Sequence, residues 1–211
     1  MQITWLGHSS FLLEDSKCRK LLTDPFDTTV GYEVYKDNPD IVTISHKHFD
    51  HNYTKELPNS CKIIDKLGIF DLDDIYIKGI PSYHDKDKGA KRGDNIIFTY
   101  RMDGHSLCHL GDLGHTLTND DIEAIGTVDI LFVPVGGNYT IDGKEASEVT
   151  KKINPKIIFP MHYKTSKVSL PLDGVEPFLM HMKNASKIDS NTLIIDNEIK
   201  ESLSVKILNC I

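Results

Sequence analysis

The stretch Ile41-Val-Thr-Ile-Ser-His-Lys-His-Phe-Asp-His51 decides how the rest of the chain is read. Ile41 to Ile44 is apolar and rich in β-branched residues, the composition of a short buried strand. The polar cluster that follows therefore sits where that strand ends and a loop begins. His46, His48, Asp50 and His51 all offer imidazole or carboxylate ligands. In extended backbone, residues two apart face the same way, so His46 and His48 can aim at one point. Asp50 and His51 are adjacent, and a turn can aim them at a second point nearby. Lys47 and Phe49, lying between them, are expected to face away.

Working outward, the 211 residues suit a single domain spanning positions 1–211. A content of 39% hydrophobic and 26% charged residues is that of an ordinary globular chain. The formal net charge of −7 disfavours extended nucleic-acid binding, which needs a broad basic surface. No apolar run approaches the roughly 18 residues of a bilayer span, and Met1-Gln-Ile-Thr-Trp5 does not read as a secretory signal. Cys18, Cys61, Cys108 and Cys210 are scattered and read as reduced thiols, so a cytoplasmic setting without membrane partners is expected.

Apolar segments elsewhere repeat the pattern of the quoted stretch. Gln2 to Leu6 and Phe11 to Glu14 read as strands around Gly7-His8-Ser9-Ser10, and Lys20 to Asp24 as a third. Residues 53 to 60 suggest a helical turn. Cys61 to Asp65 and Ile75 to Tyr83 read as strands, the latter delivering His84. Asn95 to Arg101 and Ser106 to Leu110 flank a hairpin turn containing Asp103-Gly104, and the second strand ends in Gly111-Asp112. Helices are predicted from Thr118, over Lys144 to Ile153 and over Val175 to Lys183. Strands are predicted over Val128 to Val135, Lys156 to Pro160 (leading into Met161-His162-Tyr163), Thr192 to Asp196 and Leu203 to Leu208. The mixture argues for packed sheets covered by helices. Asp24, His46, His84, Asp112 and His162 all stand at strand ends, where one sheet edge can gather them into one site.

With these residues in view, the chain resembles the metallo-β-lactamase-fold superfamily, in its branch of small stand-alone metal-dependent hydrolases. The resemblance rests on His46-x-His48-x-Asp50-His51, His84, Gly111-Asp112 and Met161-His162-Tyr163, with Trp5-Leu-Gly-His-Ser9, Asp24-Pro25 and Gly136-Gly137-Asn138 in support. It implies an α+β fold, a four-layer αββα sandwich. It also implies two divalent metal ions, Zn²⁺ first, with Mn²⁺ or Fe²⁺ also suited to these ligands. His46, His48 and His84 would hold one ion, Asp50, His51 and His162 the other, and Asp112 both. A hydroxide shared by the metals would be the nucleophile, with Asp50, Asp112 and His8 as the catalytic side chains. True β-lactamases typically carry Cys or His where this chain has Asp112, so antibiotic hydrolysis is not expected.

A formal site charge of about +1, with both ions and a hydroxide in place, favours a small anionic ester, lactone or phosphodiester as substrate. A ribonuclease or nucleotide phosphodiesterase, and a non-catalytic metal-binding sensor of the same fold, are the alternatives. Around the ligands, Asp24 is expected to orient a ligand histidine or to cap its strand end ahead of Pro25. His8 reads either as a substrate contact or as a plain turn residue. Asn138 reads as an oxyanion donor or a turn residue, and Tyr163 as a pocket wall or a packing residue. The loop Lys86 to Arg92 reads as an anion-steering lip or a solvated loop.

Overall fold

The computed structural model describes residues 1–209, so Cys210 lies outside the described residues. Two mixed sheets face each other. The first has six strands. Its first three, β1 (Gln2–Gly7), β2 (Ser10–Glu14) and β3 (Lys20–Thr23), form an antiparallel meander. From β3 the sheet continues in parallel through β4 (Ile41–Thr43) to β5 (Lys62–Ile64).

The second sheet has eight strands. β6 (Gly68–Leu72), β7 (Ile75–Tyr83), β8 (Asp94–Met102) and β9 (His105–His109) pair antiparallel in sequence order. The sheet then runs in parallel through β10 (Ile130–Pro134), β11 (Ile157–Met161) and β14 (Ser204–Leu208) to β12 (Asn184–Ile188). β13 (Thr192–Ile194) returns to the first sheet and pairs antiparallel with β1.

The period of two in the strands sorts side chains between layers. Leu21 and Ile41 enter the main core between the sheets, with Trp5, Phe11, Phe98 and Phe132. Their neighbours Leu22 and Val42 point to the opposite face, where a smaller cluster forms with Ile44. Burial on both faces is what parallel pairing at β3, β4 and β5 requires. Helix α1 (Asn119–Ile125) starts on a capping box in which Thr118 and Asp121 satisfy each other's backbone N–H. Helix α2 (Gly143–Ile153) is capped in the same way by Asp142 and Glu145 and packs on β10. Its buried residues Ala146, Val149 and Ile153 join the main core.

The structure departs from the sequence expectation at three places. Residues 53–60 form turns rather than a helical turn. The helix expected over Val175 to Lys183 is confined to α3 (Glu176–Leu179), and Asn184–Ile188 form the edge strand β12 instead. Strand β6 was not anticipated, because its hairpin turns at Asp73-Asp74, both at positive φ (45° and 75°), without the glycine that usually marks such a turn. Among the described residues, no helix is long and apolar enough to cross a membrane. Cys18, Cys61 and Cys108 are free.

Candidate metal centre

The centre lies at the edge where strand ends of both sheets meet. β4 leads through Ile44 and Ser45 to His46. β7 delivers His84, β9 leads to Asp112, and β11 delivers His162. Three non-glycine residues here adopt left-handed backbone: His8 (φ 51°), Asp24 (φ 40°) and His162 (φ 53°). Such conformations cost free energy and persist only where the surroundings fix them. Gly111 (φ 56°) lets the Asp112 turn pass close to the quoted stretch. A Cβ at that position would stand 2.3 Å from Asn95 Oδ1 and 2.6 Å from Ser45 Cβ. Asn95 then fixes the turn, accepting from the Asp112 N–H (2.9 Å) and donating to Leu110 O (2.9 Å).

Four imidazoles converge on the Asp112 carboxylate. The Nε2 atoms of His84 (3.0 Å), His162 (3.2 Å) and His46 (3.7 Å) approach Oδ2, and that of His51 approaches Oδ1 (3.2 Å). His48 stacks edge-on against His46, with centroids 4.5 Å apart. Asp50 faces His8, whose Nε2 donates to Oδ2 (3.2 Å). Three groups of side chains could each hold a cation, all donor atoms in a group lying within 4.8 Å of one another. They are His46, His48 and His84; His8, Asp50, His51 and His162; and His46, His51 and Asp112. The structure thus brings together every ligand candidate of the sequence reading, and it adds His8 to their number.

Asp24 explains why these imidazoles present lone pairs to the centre. A carboxylate only accepts, so Ser45 Oγ donates to Asp24 Oδ2 (2.6 Å) and must accept from His46 Nδ1–H (2.9 Å). His51 Nδ1–H donates to the same Asp24 oxygen (2.9 Å). Both rings are thereby held with Nε2 turned inward, where the neutral form of each presents a lone pair. His46 Nε2, His51 Nε2 and Asp112 Oδ1 are buried, and among the described residues none has a well-directed hydrogen-bond partner. Buried polar atoms are rarely left so. Inward lone pairs beside a carboxylate are the donor set of a divalent cation, and the residues fit one.

The electrostatics agree. Burial pushes His46 down to about 3 and, with His162 beside it, pushes His8 down to about 4. Both stay neutral, as a ligand or hydrogen-bond donor to Asp50 must. His51 behaves oppositely. Burial opposes its charging, but Asp112, Asp50 and Asp24 outweigh burial and raise it well above the ordinary imidazole range. The middle of the centre thus holds a concentration of negative charge that calls for positive charge.

The lesser candidates separate cleanly. Asp24 orients ligand candidates on both sides. His109 accepts from the Gly111 N–H at Nδ1 (3.1 Å), so its Nε2–H donates to Ser9 O (2.9 Å); it ties two turns together and belongs to no ligand group. The Asn138 amide is taken by Pro171 O, and with φ 60° the residue serves the turn. Tyr163 is buried and stacks on Trp5. Lys47 and Phe49 are exposed, but both line the cleft over the centre. That cleft has a volume of about 440 Å³.

One organiser was invisible in the sequence. Asp85 looks like an ordinary loop charge. Its carboxylate accepts four backbone N–H groups, from Asp87 (2.8 Å), Gly89 (3.0 Å), Lys91 (2.9 Å) and Arg92 (2.7 Å). Burial would raise its pKa, but these bonds overcome that and lower it to about 2. Within this loop the cations differ in their partners. Lys91 pairs with Asp87 (2.5 Å) and Lys86 with Glu145 (2.5 Å), whereas the Arg92 guanidinium lies 4.5 Å from the centroid of the Tyr139 ring and lines the cleft. Lys91 is therefore engaged within the loop, while Arg92 and Lys47 stand at the wall of the cleft.

Two facing sheets with a His/Asp centre at their common edge define a metal-dependent hydrolase. The chain belongs to the beta-lactamase superfamily, whose domain matches residues 2–162, a span that ends on the last of the clustered histidines. A metal-dependent hydrolase of Methanosarcina barkeri is 30% identical over 92% of this chain and 95% of its own length. One of Carboxydothermus hydrogenoformans is 30% identical over 78% of this chain and 85% of its own. Among solved structures, a proposed Zn-dependent hydrolase of the metallo-beta-lactamase superfamily from Thermotoga maritima superposes with a TM-score of 0.83. It is 38% identical and covers 98% of this chain and 97% of its own. The short form of human tRNase Z shares the fold at a TM-score of 0.58 and 14% identity, over 82% of this chain and 97% of its own.

Proposed function

We propose that this metal-dependent hydrolase works with two divalent cations on a small anionic ester, lactone or phosphodiester. His46, His48 and His84 would hold one cation, Asp50, His51 and His162 the other, and Asp112 both. Two such ions ionise a shared water near neutral pH and polarise the bond to be broken. Zn²⁺ suits the mixed imidazole and carboxylate donors, as do Mn²⁺ and Fe²⁺. The reading is carried by the convergence of four imidazole Nε2 atoms on the one carboxylate of Asp112.

The remaining side chains have derivable tasks. Asp50 is kept ionised against the cost of burial by His51 and His8, so it can take a proton from the attacking water. His8 holds that carboxylate in place through Nε2. Lys47, which makes no ion pair among the described residues, and Arg92, whose guanidinium lies by Asn138 O and the Tyr139 ring, attract a negatively charged substrate. The unpaired cysteines support a reducing, cytoplasmic setting. The test is metal analysis of the purified protein, followed by hydrolysis of bis-p-nitrophenyl phosphate and a simple lactone. Two metals per chain with turnover of either substrate is the expected result. Two metals with no turnover on any ester would replace the enzyme by a sensor.

A further inference from the structure

A second cavity, of about 620 Å³, adjoins the catalytic cleft. The two share Lys47, His48 and Arg92 as walls, so they meet at the exposed side of the metal centre. The groove runs between the loop Asp65-Lys66-Leu67, the end of β7 and the start of β8. Its apolar surface comes from Ile44, Leu67, Pro81, Tyr83 and Ile96. Leu67 is 51% exposed and Tyr83 36% exposed, although both are large hydrophobic side chains.

The buried polar side chains of the groove, Ser45, Ser82 and Asn95, are already bonded within the protein. Ser45 Oγ is bound to Asp24 and His46. Ser82 Oγ donates to Asn95 O (3.0 Å) and accepts from Asn95 Nδ2 (2.7 Å), which also reaches Leu110 O. A polar body entering here would lose its water against side chains already bonded to one another. An apolar one would lose only unfavourable contact with water. The rim carries charges of both signs, Lys66 with Asp65 and Asp94, so the groove itself does not select an anion. Selection for negative charge falls to Lys47 and Arg92, where groove and cleft join.

We infer that the substrate is amphiphilic, with an anionic head over the metal centre between Lys47 and Arg92 and a flat or short apolar arm lying in the groove against Leu67, Tyr83 and Ile96. The volume is that of a pocket for a drug-sized body. The inference rests on the proposed anionic substrate and adds the chemistry of its other end. It also explains why Leu67 and Tyr83 stay exposed at this position: their partner is the ligand.

Calorimetric titration of the metal-loaded protein with methylphosphonate and benzylphosphonate separates the two claims, because both carry the same head and only one has an arm. Benzylphosphonate is expected to bind on the order of tenfold more tightly. In Leu67→Asp that advantage should vanish while methylphosphonate binds as before. Tyr83→Ala supplies a second variant, should the first be poorly expressed, and should reduce the advantage in the same direction. Equal affinity of the two phosphonates for the wild type overturns the apolar arm and leaves the anionic head standing. Failure of both phosphonates to bind overturns the anionic head, and the arm with it.

Discussion

The two sides of the centre are built on different terms. On the inner side, His8, Asp50, His51 and His162 are all buried, and each ring stands against another: His8 lies 4.3 Å from His162 and 5.3 Å from His51, centroid to centroid. On the outer side, His48 is exposed, and only His46 and His84 are buried. The inner side is fixed by the fold before any ligand arrives. The outer side keeps one ligand candidate at the cleft wall, where substrate and solvent reach it. One carboxylate, Asp112, spans both, and Asp24 sets a ring on each.

The comparison breaks first at Asp112. Asp112→Asn should lose metal from both sides, with turnover falling at least about 10³-fold. Retention of one metal per chain, measured by elemental analysis, would show that the sides do not depend on a shared carboxylate.

Asp24→Asn and His48→Ala sharpen it. The first removes a buried acceptor used by His51 and Ser45, so metal affinity should fall roughly 10- to 100-fold, and the metal-free protein should melt lower. The second touches an exposed ring. One metal should be lost, with the stability of the metal-free protein unchanged within about 0.5 kcal/mol. Equal melting losses in both variants would remove the distinction between a fixed and an open side.

Stripped of metal, the protein should show the inner charge through pH. The folded-state pKa values of His8 and His46, about 4 and 3, lie below the ordinary imidazole value, so the unfolded chain binds more protons than the native one as pH falls below about 6.5. Their contribution is present above that pH and is lost on acidification. His51 is raised, so its contribution is complete below about 6.5 and is lost as pH rises through its folded value. The melting temperature of chelator-treated protein should therefore peak near neutrality. A steady rise to pH 9 would mean that His51 is neutral in the folded state.

The smallest effect concerns the outer rim. Arg92→Ala should raise KM for an anionic ester several-fold with metal content unchanged, whereas Lys91→Ala should leave KM alone because its charge is spent on Asp87. The reverse order would return the steering role to Lys91.

The clustered residues were legible because each stands just beyond an apolar run, and a strand end leaves a side chain little choice of direction. The meander of the first sheet and the parallel strands β10 and β11 were legible for the same reason. Three features were not. β6 and β12 are edge strands whose residues are mostly exposed, so neither shows a buried alternation. Asp85 acts through the directions of four backbone N–H groups, which no residue type encodes. The ligand role open to His8 depends on the β1–β2 turn of one sheet meeting the end of β11 of the other, a matter of topology rather than of pattern.

That adjacency has a consequence for how the enzyme comes into being. The His162 N–H donates to His8 O (3.2 Å), joining residues that leave the ribosome far apart in time. His46, His48 and His84 can meet once β7 is made, but the inner set cannot form until β11 has been synthesised and laid beside the β1–β2 turn. Contacts of such sequence separation form late, and metal capture is coupled to the folding of its ligands. A nascent or truncated chain ending before residue 162 would lack the inner set's last ligand candidate, so full metal loading would report that β11 has reached the β1–β2 turn.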